Sequence, residues 1–481
     1  MIKRGIVVLS LIILTLSVYL NYDLIIESLR YDSKYLYTSD VYIYIFGLLA
    51  LFFSTWLVLS QSYSKREFLL TPTLVFWILF SIMVYPGVVF TAEHDNAEIG
   101  SYYYMLSAIL FALGVWLSSK FFKFRKELEL NLFKNRVKEN TCIGKAEEIW
   151  LKVLLILFIF LIFTLNLFTS QDYFLGVSLA QDLLESGVNE VGVLQEQRED
   201  IYISGMGLSD YILRYIVRIM LPLIAVTLLV NSVFRSKKVE VLLYTIIILF
   251  AIIIAFGSGS RMFVAHLMLY LFIVAFMYKN ISTRILLIFS TLFFSMLAVH
   301  TIVLARFSTE SSTLIQTIVM SLERIFERIV LTKGVVTSYV FDYFPNIEDF
   351  QYGSSFTQAL YGLSSKDESI SRLMYSYING GDGTAGPQSF GELYANFGFY
   401  GVIVAVPIGF IIHAITFKTL RVKKITPYKV AVISYLSLLF GLVGYGKLFA
   451  FKSYGLHVLL VFLVLNFSFI WLLKRNAIKK N

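Results

Sequence analysis

Arginines near the ends of apolar segments, all on the same predicted side of a membrane, are the residues best suited to chemistry. They are Arg198, Arg214, Arg218, Arg261, Arg306 and Arg372. A planar guanidinium group can bind two phosphate oxygens at once. An arginine held in or near hydrocarbon costs at least ~2.5–3.5 kcal/mol, so its presence there points to function. The sequence therefore predicts a site for a phosphate or diphosphate group carried by a lipid.

Simpler alternatives exist for three of these arginines. Arg214 and Arg218 share one helical stripe with Asp210, so Arg214 can pair with Asp210 while Arg218 extends to the interface. Arg261 follows the Gly-Ser-Gly-Ser segment at 257–260, and a helix that begins there offers free N–H groups and its dipole to an anion. A short hairpin between two spans also needs glycines, so this motif alone is unspecific.

Proton transfer would fall to Glu392 or His300. Glu392 stands just before a predicted span, where partial loss of water can tune a carboxylate for general-base catalysis. The alternatives are an acid that complements a helix dipole and a histidine that packs between helices. None of the 5 histidines has the spacing of a metal ligand, and the chain has 1 cysteine. No metal and no cofactor are therefore expected.

The composition is that of a membrane protein. Hydrophobic residues make up 58% of the 481 residues, charged residues only 15%, and the mean hydropathy is +0.74. No soluble core could hide this much apolar surface. The net charge of +9 does not indicate a nucleic-acid partner, because the Lys and Arg residues cluster in short segments between apolar runs, as in the positive-inside rule.

The apolar runs predict an all-α polytopic fold with about twelve transmembrane helices and both termini in the cytoplasm. Spans are predicted near 5–22, 41–61, 69–91, 101–119, 149–170, 210–232, 239–257, 262–278, 285–305, 399–417, 430–449 and 455–473. The first five spans occupy 1–170 with a basic cytoplasmic loop at 120–148, an outer loop covers 171–209, four spans occupy 210–305, a large outer loop covers 306–398, and the last three spans occupy 399–481. Within the large loop, apolar residues at helical spacing predict an amphipathic helix over 314–329.

Two segments carry a resemblance to a known family. The segment 387–401 (PQSFGELYANFGFYG) resembles the one that closes the large periplasmic loop of the Wzy-type O-antigen polymerases, and 257–261 (GSGSR) resembles the Ser-Arg element of the polymerase and ligase superfamily. The resemblance matches Arg261 to the Ser-Arg position and Glu392 to the loop-end motif; the other arginines are added on placement alone.

The resemblance implies an enzyme of the bacterial cytoplasmic (inner) membrane. Such a metal-independent glycosyltransferase joins oligosaccharide repeat units, carried on undecaprenyl diphosphate, into a surface polysaccharide (O-antigen, capsule or exopolysaccharide). The implied partners are the lipid-linked oligosaccharide, membrane lipid, a chain-length regulator and a flippase. The ligase relatives have a base histidine in the large loop. Because 306–398 contains no histidine, the resemblance favours polymerase over ligase and leaves the base open.

Two other functions compete with polymerisation. A lipid-linked oligosaccharide flippase would also handle a lipid diphosphate, but the long loop at 306–398 and the absence of two similar halves are unlike such transporters. A glycosyltransferase that uses polyprenyl-phosphate sugars is expected to have an essential carboxylate pair in its first outer loop. Asp23, Glu27 and Asp32 lie there, with unremarkable spacing.

Overall fold

The computed structural model describes residues 41–62, 69–90, 96–139, 142–166, 212, 215–257, 261–278, 332–356, 369–379, 385–449 and 455–478. Every regular element in these ranges is a helix. The α-helices are α1 (Val41–Ser62), α2 (Pro72–Met83), α3 (Tyr85–Val89), α4 (Ala97–Phe121), α5 (Lys126–Lys138), α6 (Lys145–Asn166), α7 (Leu221–Phe234), α8 (Lys238–Gly257), α9 (Arg261–Tyr278), α10 (Thr332–Tyr343), α11 (Ile370–Asn379), α12 (Ser389–Phe397), α13 (Ala405–Leu420), α14 (Pro427–Gly441) and α15 (Leu456–Ile478). A π-helical turn, Ile216–Met220, precedes α7, and 3-10 turns follow α12 and α14 at Gly398–Val404 and Leu442–Gly444.

The prediction of a helical membrane protein is confirmed. In the described part of the chain, 7 helices or helix runs are long and apolar enough to cross a membrane. They are Tyr42–Ser62, Pro72–Val89, Ala97–Phe121, Lys145–Leu165, Ile216–Phe234, Ser389–Leu420 and Pro427–Gly444. Helices α8, α9 and α15 coincide with three further predicted spans. The predicted spans 5–22 and 285–305, the loop 171–209 and the amphipathic helix 314–329 lie outside the described residues. The number of about twelve and the orientation stay predictions.

The chain divides into two compact units. Unit 1 comprises Met1–Asn131, Val319–Arg421 and Ser437–Ser453. Unit 2 comprises Leu132–Ile318, Val422–Leu436 and Tyr454–Asn481. Each unit therefore combines segments that are distant in the sequence.

Aromatic side chains fill the core of unit 1. Phe76 on α2 stacks on Phe111 on α4 with the ring centroids 4.2 Å apart. Phe390 on α12 meets Phe80 on α2 edge to face at 5.3 Å. Rings of this size bury large apolar areas and prefer stacked or edge-on contacts. Helix α12, which the sequence places at the end of a loop, is thus part of the core.

The described portion of the predicted large outer loop also belongs to the helix packing of unit 1. Phe341 on α10 is 1% exposed and lies 4.3 Å from the ring of Tyr394 and 5.4 Å from that of Tyr103. A Cβ at Gly334 would come 2.5 Å from the Cα of Gly87, so only glycine permits this approach of α10 to α3. Helix α10 is therefore seated against α3, α4 and α12.

In unit 2 an ion network joins α6, α7 and α8 at the ends predicted to face the cytoplasm. Glu148 lies 2.6 Å from Arg235 and 2.9 Å from Lys152. Glu240 lies 2.8 Å from Lys237 and 3.3 Å from Lys152. Because each carboxylate meets more than one cation, these basic residues are held in structural contacts.

Candidate functional site

Helix α12 begins and ends with specific local interactions. The Gln388 side chain caps its start, with Oε1 accepting a hydrogen bond from the Phe390 N–H at 2.8 Å. At its end Gly398 has φ +58°, a conformation that residues with a side chain rarely adopt. Gln388, Glu392 and Asn396 are spaced four apart and are 0%, 3% and 0% exposed. A helix this polar can be buried only if each group finds partners.

Gln388 ties the start of α12 to α4 and α10. Tyr104 Oη donates to Gln388 Oε1 at 2.7 Å, and the Gly391 N–H donates to Tyr104 Oη at 3.1 Å. The Gln388 N–H donates to Thr337 Oγ1 at 3.0 Å. Tyr104 is seven residues beyond Ala97, where α4 begins. At ~1.5 Å per residue, the start of α12 therefore lies about 10 Å below the predicted outer end of α4.

Asn396 ties the other end of α12 to the 353–355 segment. Its Nδ2 donates to the carbonyl oxygen of Glu392 and to Ser355 Oγ, both at 2.7 Å. Its Oδ1 accepts the Gly353 N–H at 2.9 Å. Glu392 is therefore carried on a helix that is fixed on both sides of it.

Glu392 lies with two lysines in what we call the lysine–glutamate cluster (Lys333, Glu392 and Lys447). Glu392 Oε2 accepts a hydrogen bond from the Leu448 N–H at 2.8 Å. Both lysines act on the carboxylate electrostatically, yet neither forms a direct ion pair with it among the described residues. The Lys333 ammonium donates to the carbonyl oxygen of Gly386 and stands 5.4 Å from the ring centroid of Tyr445.

The two ammonium groups are in an environment that disfavours their charge. Burial, reinforced by the charge of Lys447, lowers the pKa of Lys333 to about 7, while Glu392 acts in the opposite direction. Burial also lowers the pKa of Lys447, again opposed by Glu392. With two lysines against one carboxylate, the protonated cluster carries an excess positive charge. A bound anion would stabilise the protonated lysines, and for the same reason the protonated lysines would bind an anion.

Among the predicted site residues, Glu392 and Arg372 belong to unit 1. Arg372 is half-buried on α11, and its N–H donates to the Ser369 carbonyl at 2.8 Å. The preceding Ser371 accepts the Ala385 N–H at 2.8 Å through its carbonyl oxygen. Helix α11 is thus joined to the segment that leads into α12.

Arg218 and Arg261 belong to unit 2. Arg218 lies in the π-helical turn before α7 and acts electrostatically on His266 of α9 and Tyr435 of α14. Arg261 is the first residue of α9, so the predicted helix start at this residue is confirmed. Arg198, Arg214, Arg306 and His300 lie outside the described residues. A convergence of all these arginines on one lipid headgroup stays a prediction.

Sequence reasoning missed Lys333 and Lys447. A signal was available, since both are lysines on the predicted outer side, against the positive-inside tendency. Lys447 ends the Gly-Tyr-Gly-Lys run at 444–447, where a span terminates. Their proximity to Glu392 could not be read from the sequence, because 59 and 55 residues separate them from it along the chain.

Comparison of the chain with models of protein families, with curated proteins and with solved structures finds no match. The family resemblance accordingly rests on the residues at 257–261 and 387–401 and on the predicted topology. Function has to be inferred from the chemistry of the site, since a helical membrane fold serves many functions.

Proposed function

We propose that the protein is a glycosyltransferase that polymerises lipid-diphosphate-linked oligosaccharide units on the outer face of the bacterial cytoplasmic membrane. The observation that carries this proposal is the lysine–glutamate cluster. Helix α12 lies within the segment 387–401 that resembles the polymerases, and its buried carboxylate, Glu392, stands beside Lys333 and Lys447.

The reaction has two requirements that such a cluster can meet. The bond between the first sugar of the growing chain and its diphosphate breaks, and the diphosphate leaves on its lipid with the electron pair. A hydroxyl oxygen of the acceptor unit forms the new glycosidic bond, and its proton passes to a base. Fixed cations aimed at the developing negative charge are commonly the largest contribution to catalysis. Lysine ammonium groups, with the predicted arginines, would supply them.

The acceptor base is a separate question from the cations. Glu392 and His300 remain the predicted candidates. Glu392 is only 3% exposed and its Oε2 accepts the Leu448 N–H, so an acceptor hydroxyl could reach it only with a local opening. This favours a role for Glu392 in setting the charge of the lysines over a direct role as base.

A lipid-linked oligosaccharide flippase is the alternative, and one observation favours it. Glu392 is buried within Ser389–Leu420, one of the runs apolar enough to cross a membrane, and charged groups buried within spans commonly mark transport pathways. The two functions differ in their product, because a flippase moves the lipid-linked unit without lengthening the glycan.

The test is reconstitution of the purified full chain in liposomes with lipid-linked repeat units. A polymerase converts them into a ladder of longer glycans, and we expect Glu392→Gln and Arg261→Ala to reduce that ladder at least tenfold. Lys418→Gln, which changes an exposed lysine at the end of α13, is the matched control and should leave it unchanged. Movement of the unit across the bilayer without any ladder would establish the flippase instead.

A further inference from the structure

We propose that Lys333 and Lys447 form the subsite for the diphosphate of the lipid carrier, and that Glu392 is a positioning residue that orders and charges them. This inference rests on the proposed function and deepens it. The sequence predicted arginines for this role. The geometry of unit 1 adds two lysines that the sequence analysis did not identify.

The first argument is the unused binding capacity of the ammonium groups. A lysine ammonium has several N–H donors. Lys333 uses one on the Gly386 carbonyl oxygen. Lys447, which is partly exposed, makes no hydrogen bond or direct ion pair to any residue within the described ranges. Within the described residues the remaining donors have no partner, so they could bind oxygens of an anion.

The second argument is a buried hydroxyl beside Lys447. Ser371 is 5% exposed, and its Oγ has no hydrogen-bond partner in the part of the chain that the structure describes. The position that a Cβ on Gly386 would occupy lies 2.9 Å from both Ser371 Oγ and Lys447 Cε. The hydroxyl and the end of the lysine therefore flank the same small space, which the glycine leaves open. A buried hydroxyl without a partner is costly, and a phosphate oxygen could accept a hydrogen bond from it.

The third argument concerns how Glu392 acts. Its Oε2 holds the Leu448 N–H, next in the chain to Lys447. The carboxylate thus fixes the backbone that carries one lysine and favours the charged form of both. Because it forms no direct ion pair with either, it does not occupy the donors that an anion would need.

Binding of anionic probes to the purified full chain tests the inference separately from polymerisation. The probes are geranyl diphosphate, which carries a lipid chain, and inorganic pyrophosphate, which does not; dissociation constants would be measured by calorimetry. We expect geranyl diphosphate to bind more tightly, and Lys333→Gln and Lys447→Gln each to weaken its binding at least tenfold. Ser371→Ala should weaken it severalfold, and Lys418→Gln should not change it.

Charge-conserving substitution protects the test against misfolding. Lys447→Arg should bind within a few-fold of the wild type, whereas equal losses in Lys447→Arg and Lys447→Gln would overturn a charge-based role. Equal affinity for pyrophosphate and geranyl diphosphate would overturn the assignment to a lipid carrier. Wild type that elongates glycans but does not bind geranyl diphosphate overturns this subsite and leaves the polymerase standing. A wild type that binds geranyl diphosphate but does not elongate glycans overturns the polymerase and leaves the anion subsite standing.

The positioning role of Glu392 has its own signature. Glu392→Gln keeps an oxygen for the Leu448 N–H but removes the charge that holds the lysines protonated. The pH above which geranyl diphosphate ceases to bind should therefore move to a lower value in this variant. Weaker binding with an unchanged pH profile would mean a merely structural role. Among the described residues, the charged groups of the cluster that act on one another are Lys333, Lys447 and Glu392, and the ring of Tyr445 lies beside the Lys333 ammonium.

Discussion

Replacing Lys333 by methionine should stabilise the protein most at low pH. The pKa of this lysine is lowered from 10.5 to about 7 in the folded chain. Below pH ~7 the folded state carries an ammonium group in an unfavourable environment. As the pH rises through the folded pKa, the native lysine loses its proton while the unfolded one keeps it up to about pH 10. The wild type therefore gains stability with rising pH over that window.

The magnitude follows from the size of the shift. Each pKa unit corresponds to about 1.4 kcal/mol. Between about pH 6 and about pH 9 the full shift would give roughly 2.6 kcal/mol, which the partial exposure of Lys333 reduces to about 1–2 kcal/mol. Methionine does not titrate, so its advantage over lysine should fall by that amount across this range. The loss of the hydrogen bond to the Gly386 carbonyl costs about 1 kcal/mol at either pH and cancels in the comparison.

The assay is thermal unfolding of purified protein in nanodiscs at the two pH values, for the wild type, Lys333→Met and the control Lys418→Met. The apparent unfolding temperature of Lys333→Met minus that of the wild type should be a few degrees smaller at the high pH than at the low pH. The control should show no such trend, because Lys418 is exposed. A midpoint difference for Lys333→Met that is identical at both pH values would refute the lowered pKa of Lys333.

Three further predictions concern packing and partners. In Gly409→Ala the new methyl group would overlap a backbone oxygen of α4. The free energy of unfolding should fall by about 1–3 kcal/mol, and the yield of folded protein in size-exclusion chromatography should fall with it. The control Gly144→Ala, whose methyl group would have nothing within 4 Å, should match the wild type. Glu148→Gln removes the negative charge 2.6 Å from Arg235 and should lower the apparent unfolding temperature by several degrees, less at high salt. Asn396→Ala removes the acceptor of the Gly353 N–H, and limited proteolysis should then cleave near residue 353 faster than in the wild type.

Apolar runs predicted the helices well where nothing interrupts them. The predicted span 101–119 lies inside Ala97–Phe121, and 41–61 matches Val41–Ser62. The predicted span 69–91 is divided, because α2 ends at Met83 and α3 begins at Tyr85. Pro86 lacks the N–H that a continuous helix needs there. Hydropathy averages over such a break and does not register it.

The beginning of the predicted span at 399 differs from the structure for another reason. Residues 389–397 form α12, and a 3-10 turn joins it to α13. This stretch reads as a loop because Gln388, Glu392 and Asn396 are polar, but each is buried with partners supplied by distant segments. A hydropathy scale assigns polar residues to water and cannot include such partners. The same limitation concealed the approach of Lys333 and Lys447 to Glu392.

Among the described residues, the Glu392 carboxylate accepts its hydrogen bond from a main-chain amide, that of Leu448. Any residue except proline presents the same N–H group, so this hydrogen bond does not depend on the type of side chain at position 448. The identity of residue 448 therefore gives no indication in the sequence of what anchors this carboxylate. Leu448→Pro is the one replacement there that deletes the donor, and it would release Glu392 without touching a charged residue.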